Sequence, residues 1–501
     1  MMLDLLDLLV RWMVSDSNTI LFSLSAAILV PIAVAMRRFR AMGLRVSFTL
    51  SIYTACFLFF LLILHHKAQF ATDWANLLLY SIISILHVFV YLYHLAFGFA
   101  WNLRPGFIYT AGLPGYCFFL AIMLFVPGFI FARLCSLVIA LASSTGPGVW
   151  AVESLCSALP SPLTDELVLV ALFSLLFTWS IIFHQAGLPA LELVELNIDH
   201  ARVHPTLCRL PVPHYPYNSE KLEKTKQGSP SSLGSAKTFT VGQISDPHLG
   251  LFMTAAQLRS VCEEVVALKP TFVFLTGDYF AAEVQREAYA GRQLKWALEP
   301  LASADGHVFA CLGNHDYEGL PLIQATFKSL GIRLLCDESE TIQADFGAVQ
   351  VIGTHYVLAE RRKADHLQKI CAKFPATVAA HSEDQHDGAD DERNTEATEG
   401  DAAVSTTRLM LVHDPKGFAA VDPDERVIAF AGHNHGGQIG LETFGIRWTL
   451  PRAVFPSFTD LGLWTKGRNY WYVHRGTGQH AFPFRWGVQR ERSLLKVTIS
   501  N

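Results

Sequence analysis

Five short motifs in the second half of this 501-residue chain gather carboxylate, imidazole and amide groups: Asp246-Pro247-His248, Gly277-Asp278, Gly313-Asn314-His315-Asp316, His413 before Asp414, and Gly432-His433-Asn434-His435-Gly436. Together they supply enough oxygen and imidazole donors for two adjacent metal ions. Sulfur is absent from the set, which argues against a closed structural zinc site. Mixed Asp, His and Asn ligation suits Mn²⁺, Fe²⁺ or Zn²⁺ in an open catalytic site. Asp246 and His248 are two apart, so extended backbone would turn both toward one ion, and His433 and His435 repeat that spacing. The Asp278 carboxylate has two oxygens and is suited to bridge two metals. Asn314 adds a neutral oxygen, and His315 beside it is free to face a substrate. Singly, each motif is weak: Gly-Asp recurs in many loops, and a lone histidine such as His413 is more often a satisfied core residue. Their joint occurrence in this order is what carries the signal.

Short apolar runs place the motifs. Thr238 to Ile244, Thr271 to Leu275, Val308 to Leu312, Val349 to Ile352, Leu409 to Val412 and Val427 to Ala431 read as buried strands. Thr254 to Leu268 and Arg286 to Leu301 read as helices. Each ligand motif lies just after one of these strands, and in layered α/β folds ligands bind beyond strand ends, where loops converge. The expected catalytic domain is α/β, spanning 238–501, with a disordered acidic insertion at 381–407. That insertion carries His381 and His386, read as part of a solvated loop. A linker is expected at 187–237, where Gly228 to Ser235 is Gly/Ser-rich.

The first half is of another kind. The chain is 51% hydrophobic and only 17% charged, and most of the charges lie beyond residue 190. Five stretches are long and apolar enough to span a bilayer: about Thr19 to Met36, Val46 to Leu64, Asn76 to Phe99, Gly115 to Ala142 and Leu167 to Phe183. This predicts a multi-pass, α-helical transmembrane bundle over 1–186, with four or six spans as the neighbouring counts. The fourth stretch, long and containing Arg133, is expected to be tilted, kinked at Pro127-Gly128 or re-entrant, and Arg133 is read as snorkelling or marking a helix end. His87 and His94, with Tyr91 between them, read as helix–helix hydrogen-bonding groups. Arg37, Arg38, Arg40 and Arg45 in the first loop put it, and with five spans the C-terminal domain, in the cytoplasm. The net charge of −5 and the lack of a basic aromatic cluster exclude an evident nucleic-acid binder. The nine cysteines have no Cys-x-x-Cys pair and read as free thiols.

The motif set resembles the calcineurin-like metallophosphoesterases, whose pattern is D-x-H, G-D, G-N-H-[DE], H and G-H-x-H. The resemblance covers about residues 238 to 500. It implies a β-sandwich flanked by helices and two divalent metals. By it, Asp246, His248, Asp278 and His435 would bind one metal, and Asp278, Asn314, His413 and His433 the other. His315 would be the acid that protonates the leaving oxygen. The attacking group would be a hydroxide bridging the metals, acting on a phosphomonoester, phosphodiester or pyrophosphate. Gly432 to Ile439, with the later Gly476-Thr477-Gly478 and Pro483-Phe484-Arg485, resembles a membrane-linked branch that includes UDP-diacylglucosamine hydrolases and phosphodiesterases. The five-span anchor next to the site, and that alone, points to a lipid-linked or otherwise membrane-presented phosphoester and to contact with membrane lipids; no protein partner is evident. Pro247 and Asn434 depart from the branch pattern but are not ligands. Gly353 to Tyr356 lacks the acidic residue expected there, and Ala281 stands where purple acid phosphatases carry a metal-binding Tyr. Arg485 is a candidate for phosphate contact or a buried ion pair. A membrane receptor or scaffold with a non-catalytic domain of this type is the alternative reading.

Overall fold

The computed structural model describes residues 49–50, 52–61, 73–96, 104–143, 191–216, 236–281, 288–304, 307–359, 362–375, 406–479 and 485–500. The chain divides into two compact units, Met1–Gly187 and Leu188–Asn501. Residues 381–405 of the acidic insertion and the Gly/Ser-rich stretch lie outside the described residues, as do the first and last expected spans; Thr406 and Thr407, expected within the insertion, are instead buried, and Thr407 opens a strand.

In the first unit, a helix over Asp73–Ala96 covers most of the third expected span, and Leu113–Ser143 encloses the fourth. The latter runs helical through Pro127, so no helix break falls there. A five-residue π-turn, Ile108–Gly112, precedes it. Gly115 lets the two helices approach closely, since a Cβ there would stand 2.3 Å from Phe89 O. Tyr53 Oη lies 2.9 Å from His87 Nδ1 in a hydrogen bond between helices, whereas His94 Nδ1 turns back to Val90 O of its own helix at 2.7 Å. Among the described residues one helical run, Ile108–Ile130, is long and apolar enough to cross a membrane. Ile52–Leu61 and Ser81–His94 are apolar but shorter. The described residues do not support the five-span bundle: the first and fifth stretches lie outside them, and the second and third are described only in part.

The second unit is built on two seven-stranded mixed sheets. The first runs β3 (His214–Pro216), β1 (Glu192–Asp199), β14 (Ser493–Ser500), β4 (Lys237–Ile244), β5 (Phe272–Thr276), β6 (Val308–Cys311) and β7 (Arg333–Leu334). The second runs β2 (His204–Arg209), β12 (Gly462–Gly467), β13 (Asn469–Val473), β11 (Val427–Ala431), β10 (Thr407–Leu411), β9 (Gly347–Gly353) and β8 (Glu338–Ala344). Residues 192–209, expected within the linker, instead give one strand to each sheet. β1 pairs in parallel with β14, and β2 pairs antiparallel with β12. Burial explains it: Leu193, Val194, Leu196 and Ile198 are all in the core.

The sheets pack face to face across a core that includes Val241, Phe274, Leu409, Phe430 and Tyr472. Phe274 meets Phe430 edge-on, with ring centroids 5.0 Å apart. Helices cover the outer faces. The Ala255–Ala267 helix starts on a Thr254/Gln257 capping box and buries Leu258, Val261 and Val265. The Lys363–Lys373 helix buries Leu367, Ile370 and Cys371 against β10, β11 and β13. The seven described cysteines are all unpaired. Strands β4, β5 and β6 are mutually parallel, as are β9, β10, β11 and β13. Parallel neighbours end together, which brings the loops after them to one edge of the sandwich.

Candidate metal centre

All the predicted ligands stand on those loops. Asp246 and His248 follow β4, Asp278 follows β5, Asn314 and His315 follow β6, His413 follows β10, and His433 and His435 follow β11. The structure gathers them into two clusters, Asp246–His248–His435 and Asp278–His413–His433, in each of which the potential ligand atoms lie within 4.8 Å of one another.

Asp278 Oδ2 stands between the clusters, 3.2 Å from His413 Nε2 and 3.6 Å from His248 Nε2. Asp246 Oδ1 is 3.5 Å from His435 Nε2 and 3.9 Å from His413 Nε2. Asn314 Oδ1 and His433 Nδ1 each lie 3.2 Å from His413 Nε2, and His248 Nε2 lies 3.1 Å from His435 Nε2.

Hydrogen bonds on the far sides of the rings set what faces inward. His413 Nδ1 donates to Thr276 O at 2.7 Å, and His248 Nδ1 to Phe280 O at 3.2 Å. Their Nε2 atoms therefore point into the centre. Around His413 Nε2 stand a carboxylate oxygen, an amide oxygen and another ring nitrogen. A single proton there can satisfy one of them, whereas a cation satisfies all. The charge balance agrees. Burial opposes the charge on Asp278, but the adjacent His413 outweighs it and holds the carboxyl well below the usual range. Burial also opposes the charge on His413, yet Asp278 and Asp246 push it up to about 10. Asp246, dominated by burial, rises to about 6, and His433 falls to about 4 through burial and the nearby His413. The buried carboxylates demand positive charge, which in protein alone settles on His413 and which a divalent cation would supply. The residues fit the dimetal group.

The backbone behind these side chains corrects one expectation. Asp246 and His248 are not extended: their φ angles are 51° and 45°. Asp278, His433 and His435 share the left-handed region, at 58°, 68° and 47°. Each such residue costs about 1–2 kcal/mol over the right-handed form, so the surroundings must impose it. They do so through backbone bonds between loops: Asp246 N to Gly277 O, His248 N to Asp278 O, Gly432 N to His413 O, and Gly478 N to Asp246 O, all between 2.9 and 3.1 Å. Glycines permit the contacts. A Cβ on Gly313 would stand 2.1 Å from Asp278 Oδ1, and one on Gly432 would stand 1.9 Å from Ser245 Oγ.

Several supporting residues escaped the sequence reading. Asp316, fully buried, accepts from Asp278 N, Tyr279 N and Gly313 N at 2.7–2.8 Å and so braces the loops after β5 and β6. The motif contained it, but its bracing part needs the fold. His433 N donates to both Asp246 oxygens at 3.0 Å, and Ser245 Oγ donates to Asp246 Oδ2. Lys363 donates to Asp414, whose Oδ2 is 3.7 Å from His433 Nε2. Tyr356 stands at the same side, its ring centroid 6.0 Å from that of His413. Nothing in the sequence links Lys363 to a motif 51 residues away.

His315, half-buried at the rim, donates its backbone N–H to Asp278 Oδ1 at 2.9 Å, and its ring lies edge-on to His248. Arg485 does not form the expected buried ion pair among the described residues. It has no carboxylate at ion-pair distance, and its guanidinium bonds His435 O, Gly478 O and Gln479 Oε1, with Nη2 also 2.9 Å from His435 Nδ1.

Residues 239–437 match the family model of the calcineurin-like phosphoesterases. They form a calcineurin-like metallophosphoesterase domain. The chain is accordingly a metal-dependent phosphoric ester hydrolase. It is similar to the uncharacterized metallophosphoesterase YkuE of Bacillus subtilis (strain 168), 24% identical over 268 residues, which are 52% of this chain and 80% of that relative. It is also similar to the UDP-2,3-diacylglucosamine pyrophosphatase LpxG of Chlamydia muridarum (strain MoPn / Nigg), 31% identical over 113 residues. That second match spans 23% of this chain and 33% of the relative, so it speaks for a third of LpxG's length. Among solved structures, the sulfate thiohydrolase SoxB of Thermus thermophilus aligns at 12% identity and a TM-score of 0.26, covering 49% of this chain and 42% of its own.

Proposed function

We propose that this chain is a membrane-anchored, dimetal phosphoesterase. The observation that carries the reading is the convergence of ring-nitrogen lone pairs and carboxylate oxygens on the two sides of Asp278 Oδ2. Asp246, His248, Asp278 and His435 would hold one ion, and Asp278, Asn314, His413 and His433 the other. Bound there, divalent cations such as Mn²⁺, Fe²⁺ or Zn²⁺ would polarise phosphoryl oxygens and make water acidic enough to attack at neutral pH. The protein's own part is positional. Asp278 holds the two halves of the centre in register through Oδ2, and through Oδ1 it fixes the His315 backbone at the rim. From the rim, His315 gives a proton to the leaving oxygen, a task suited to an imidazole near neutral pH. Asp316 keeps the loops carrying Asp278 and Asn314 from moving apart.

The membrane part of the proposal rests on the first unit. The Ile108–Ile130 run has 23 residues and a mean hydropathy of 2.0. At 1.5 Å per residue such a helix covers the roughly 30 Å hydrocarbon core of a bilayer. We take 1–186 as a multi-pass anchor and 188–501 as the catalytic unit, with the arginines at 37–45 favouring a cytoplasmic active site. The similarity to a UDP-2,3-diacylglucosamine pyrophosphatase supports a lipid-linked phosphoester or pyrophosphate as substrate.

The test uses the full chain reconstituted in lipid with Mn²⁺. Bound metal is counted, and cleavage of p-nitrophenyl phosphate, its bis-ester and a pyrophosphate-linked lipid is compared, with Asp278→Asn beside it. Two metals with Asp278-dependent cleavage are expected, fastest on the lipid. A folded protein that binds no metal overturns the dimetal reading, and equal rates on soluble and lipid esters overturn the lipid one.

A further inference from the structure

Exposed apolar side chains in the second unit are not scattered. Most of them crowd into one short stretch, Phe444 to Phe455, with Trp486 beside it. Phe444, Ile446, Val454, Phe455 and Trp486 are between 49% and 66% exposed, and Trp448 is 37% exposed. Singly exposed apolar residues need no explanation, but a contiguous cluster that includes two tryptophans does.

The cluster is an ordered lip. Leu441 N bonds Trp448 O, Leu450 N bonds Ile439 O, and Thr443 N bonds Gly487 O, each at 2.8–3.0 Å. A short helix, Leu450–Val454, closes it, and Phe444 packs against Trp486 with ring centroids 6.4 Å apart. The lip is continuous with the metal centre. It begins just after His435–Gly437, and Trp486 follows Arg485, whose guanidinium holds His435.

Its charge selects the occupant. Residues 442–460 contain Arg447 and Arg452, and their two carboxylates are turned inward: Glu442 pairs with Arg209 at 2.7 Å, and the fully buried Asp460 lies 3.7 Å from Arg452. Arg447 bonds the Arg209 and Leu210 carbonyls, which orient its charge without cancelling it. Aromatic and aliphatic tips beside three arginines, Arg209, Arg447 and Arg452, against two inward-turned carboxylates match the boundary between phosphate headgroups and acyl chains. A protein partner built on acidic contacts would leave the tryptophans and Phe455 in water.

We infer that the lip formed by residues 443–455 and Trp486 docks into the headgroup region of a bilayer and holds the mouth of the metal centre at the lipid surface. This does not require the substrate to be a lipid, and it can be read without turnover.

The full chain, which has ten tryptophans, is reconstituted in vesicles of phosphatidylcholine and phosphatidylglycerol whose acyl chains carry bromine near the headgroup. Bromine quenches tryptophan emission on contact. Trp448→Phe and Trp486→Phe are each expected to remove a quenched component, while Trp296→Phe, also exposed but on a flanking helix, removes an unquenched one. Phe455→Asp is expected to lower the lip's docking equilibrium about tenfold or more, with metal content unchanged as the check on folding. Emission from Trp448 and Trp486 that is as insensitive to bromine as that from Trp296 overturns the inference. So does shielding that depends on protein concentration rather than on lipid, because the occupant would then be a second copy of the chain.

Discussion

Strands β4, β5 and β6 of one sheet bring Asp246, His248, Asp278 and Asn314 to the centre, whereas β10 and β11 of the other bring only imidazoles, His413, His433 and His435. Among the candidate ligands the first sheet supplies all the oxygen and all the negative charge; the second supplies nitrogen. Their supports differ in kind. The carboxylate side is braced by another carboxylate, Asp316, which gathers three backbone N–H groups. The imidazole side is held from the other sheet, through Thr276 O on His413 and through Asp246 on the backbone of His433. Neither sheet holds a complete site, so metal binding and sheet packing are coupled.

Breaking the shared atom should do most. Asp278→Asn removes the carboxylate charge and turns one of its two oxygens, both in use, into an NH2 group, and we expect loss of bound metal and a fall in turnover of roughly a thousandfold or more. Metal analysis and steady-state rates on the same preparation check it, and retained double occupancy would mean that the two halves bind independently. His315→Ala should lower kcat by about 10²–10⁴-fold while both metals stay. If the metals leave, His315 belongs with the ligands and the division of labour is wrong.

Asp316→Ala tests the brace alone. It leaves three buried N–H groups unpaired, each costing about 1–3 kcal/mol, and should weaken metal binding about 10–100-fold. Chemical denaturation and metal titration would separate the two effects; unaltered affinity in a destabilised protein would mean that the imidazole side suffices to place Asp278.

The charge balance gives a smaller effect. His413 in the protein alone is raised to about 10, so a metal must displace its proton at neutral pH. Apparent affinity should then rise with pH, by up to about tenfold per unit, and flatten as pH passes about 10. Calorimetry in buffers of different ionisation heats should show about one proton released on loading.

The smallest test concerns the tie between the sheets. Tyr472 on β13 and Ser493 on β14 both donate to Glu491, and Arg475 pairs with both Glu491 and Glu192 on β1. Burial opposes the charge on Glu491, but His474, Arg475 and those donors hold the carboxyl well below the usual range. Because the folded value is depressed, the stability it contributes is present above the free value of about 4.3 and lost as pH falls toward the folded one. Glu491→Gln should flatten the acid limb of a stability-against-pH curve, and an unchanged limb would place the acid sensitivity in the metal centre instead.

Much of the site was legible in the chain because ligand chemistry is a property of residue type and local spacing. The strand over Val427–Ala431 ends where its apolar run ends, and the ligands follow within four residues. The strands at 192–209 were not legible, since their short apolar stretch sits between polar turns and finds its partners, β14 and β12, about 260–300 residues later. The left-handed φ angles were hidden for a related reason. Asp-Pro-His by itself favours extended backbone, and only bonds from neighbouring loops, such as Gly478 N to Asp246 O, turn Asp246 to 51°.

The sequence by itself therefore determined which side chains are candidate ligands, and that they follow buried strands, because side-chain chemistry and apolar periodicity are local. Tertiary structure alone decided that carboxylates come from one sheet and most imidazoles from the other, that Asp316 braces and Arg485 clamps, and that Phe444 to Phe455 form a lip beside the centre. Those outcomes depend on which strand ends lie side by side, and that is set by pairing between residues far apart in the chain.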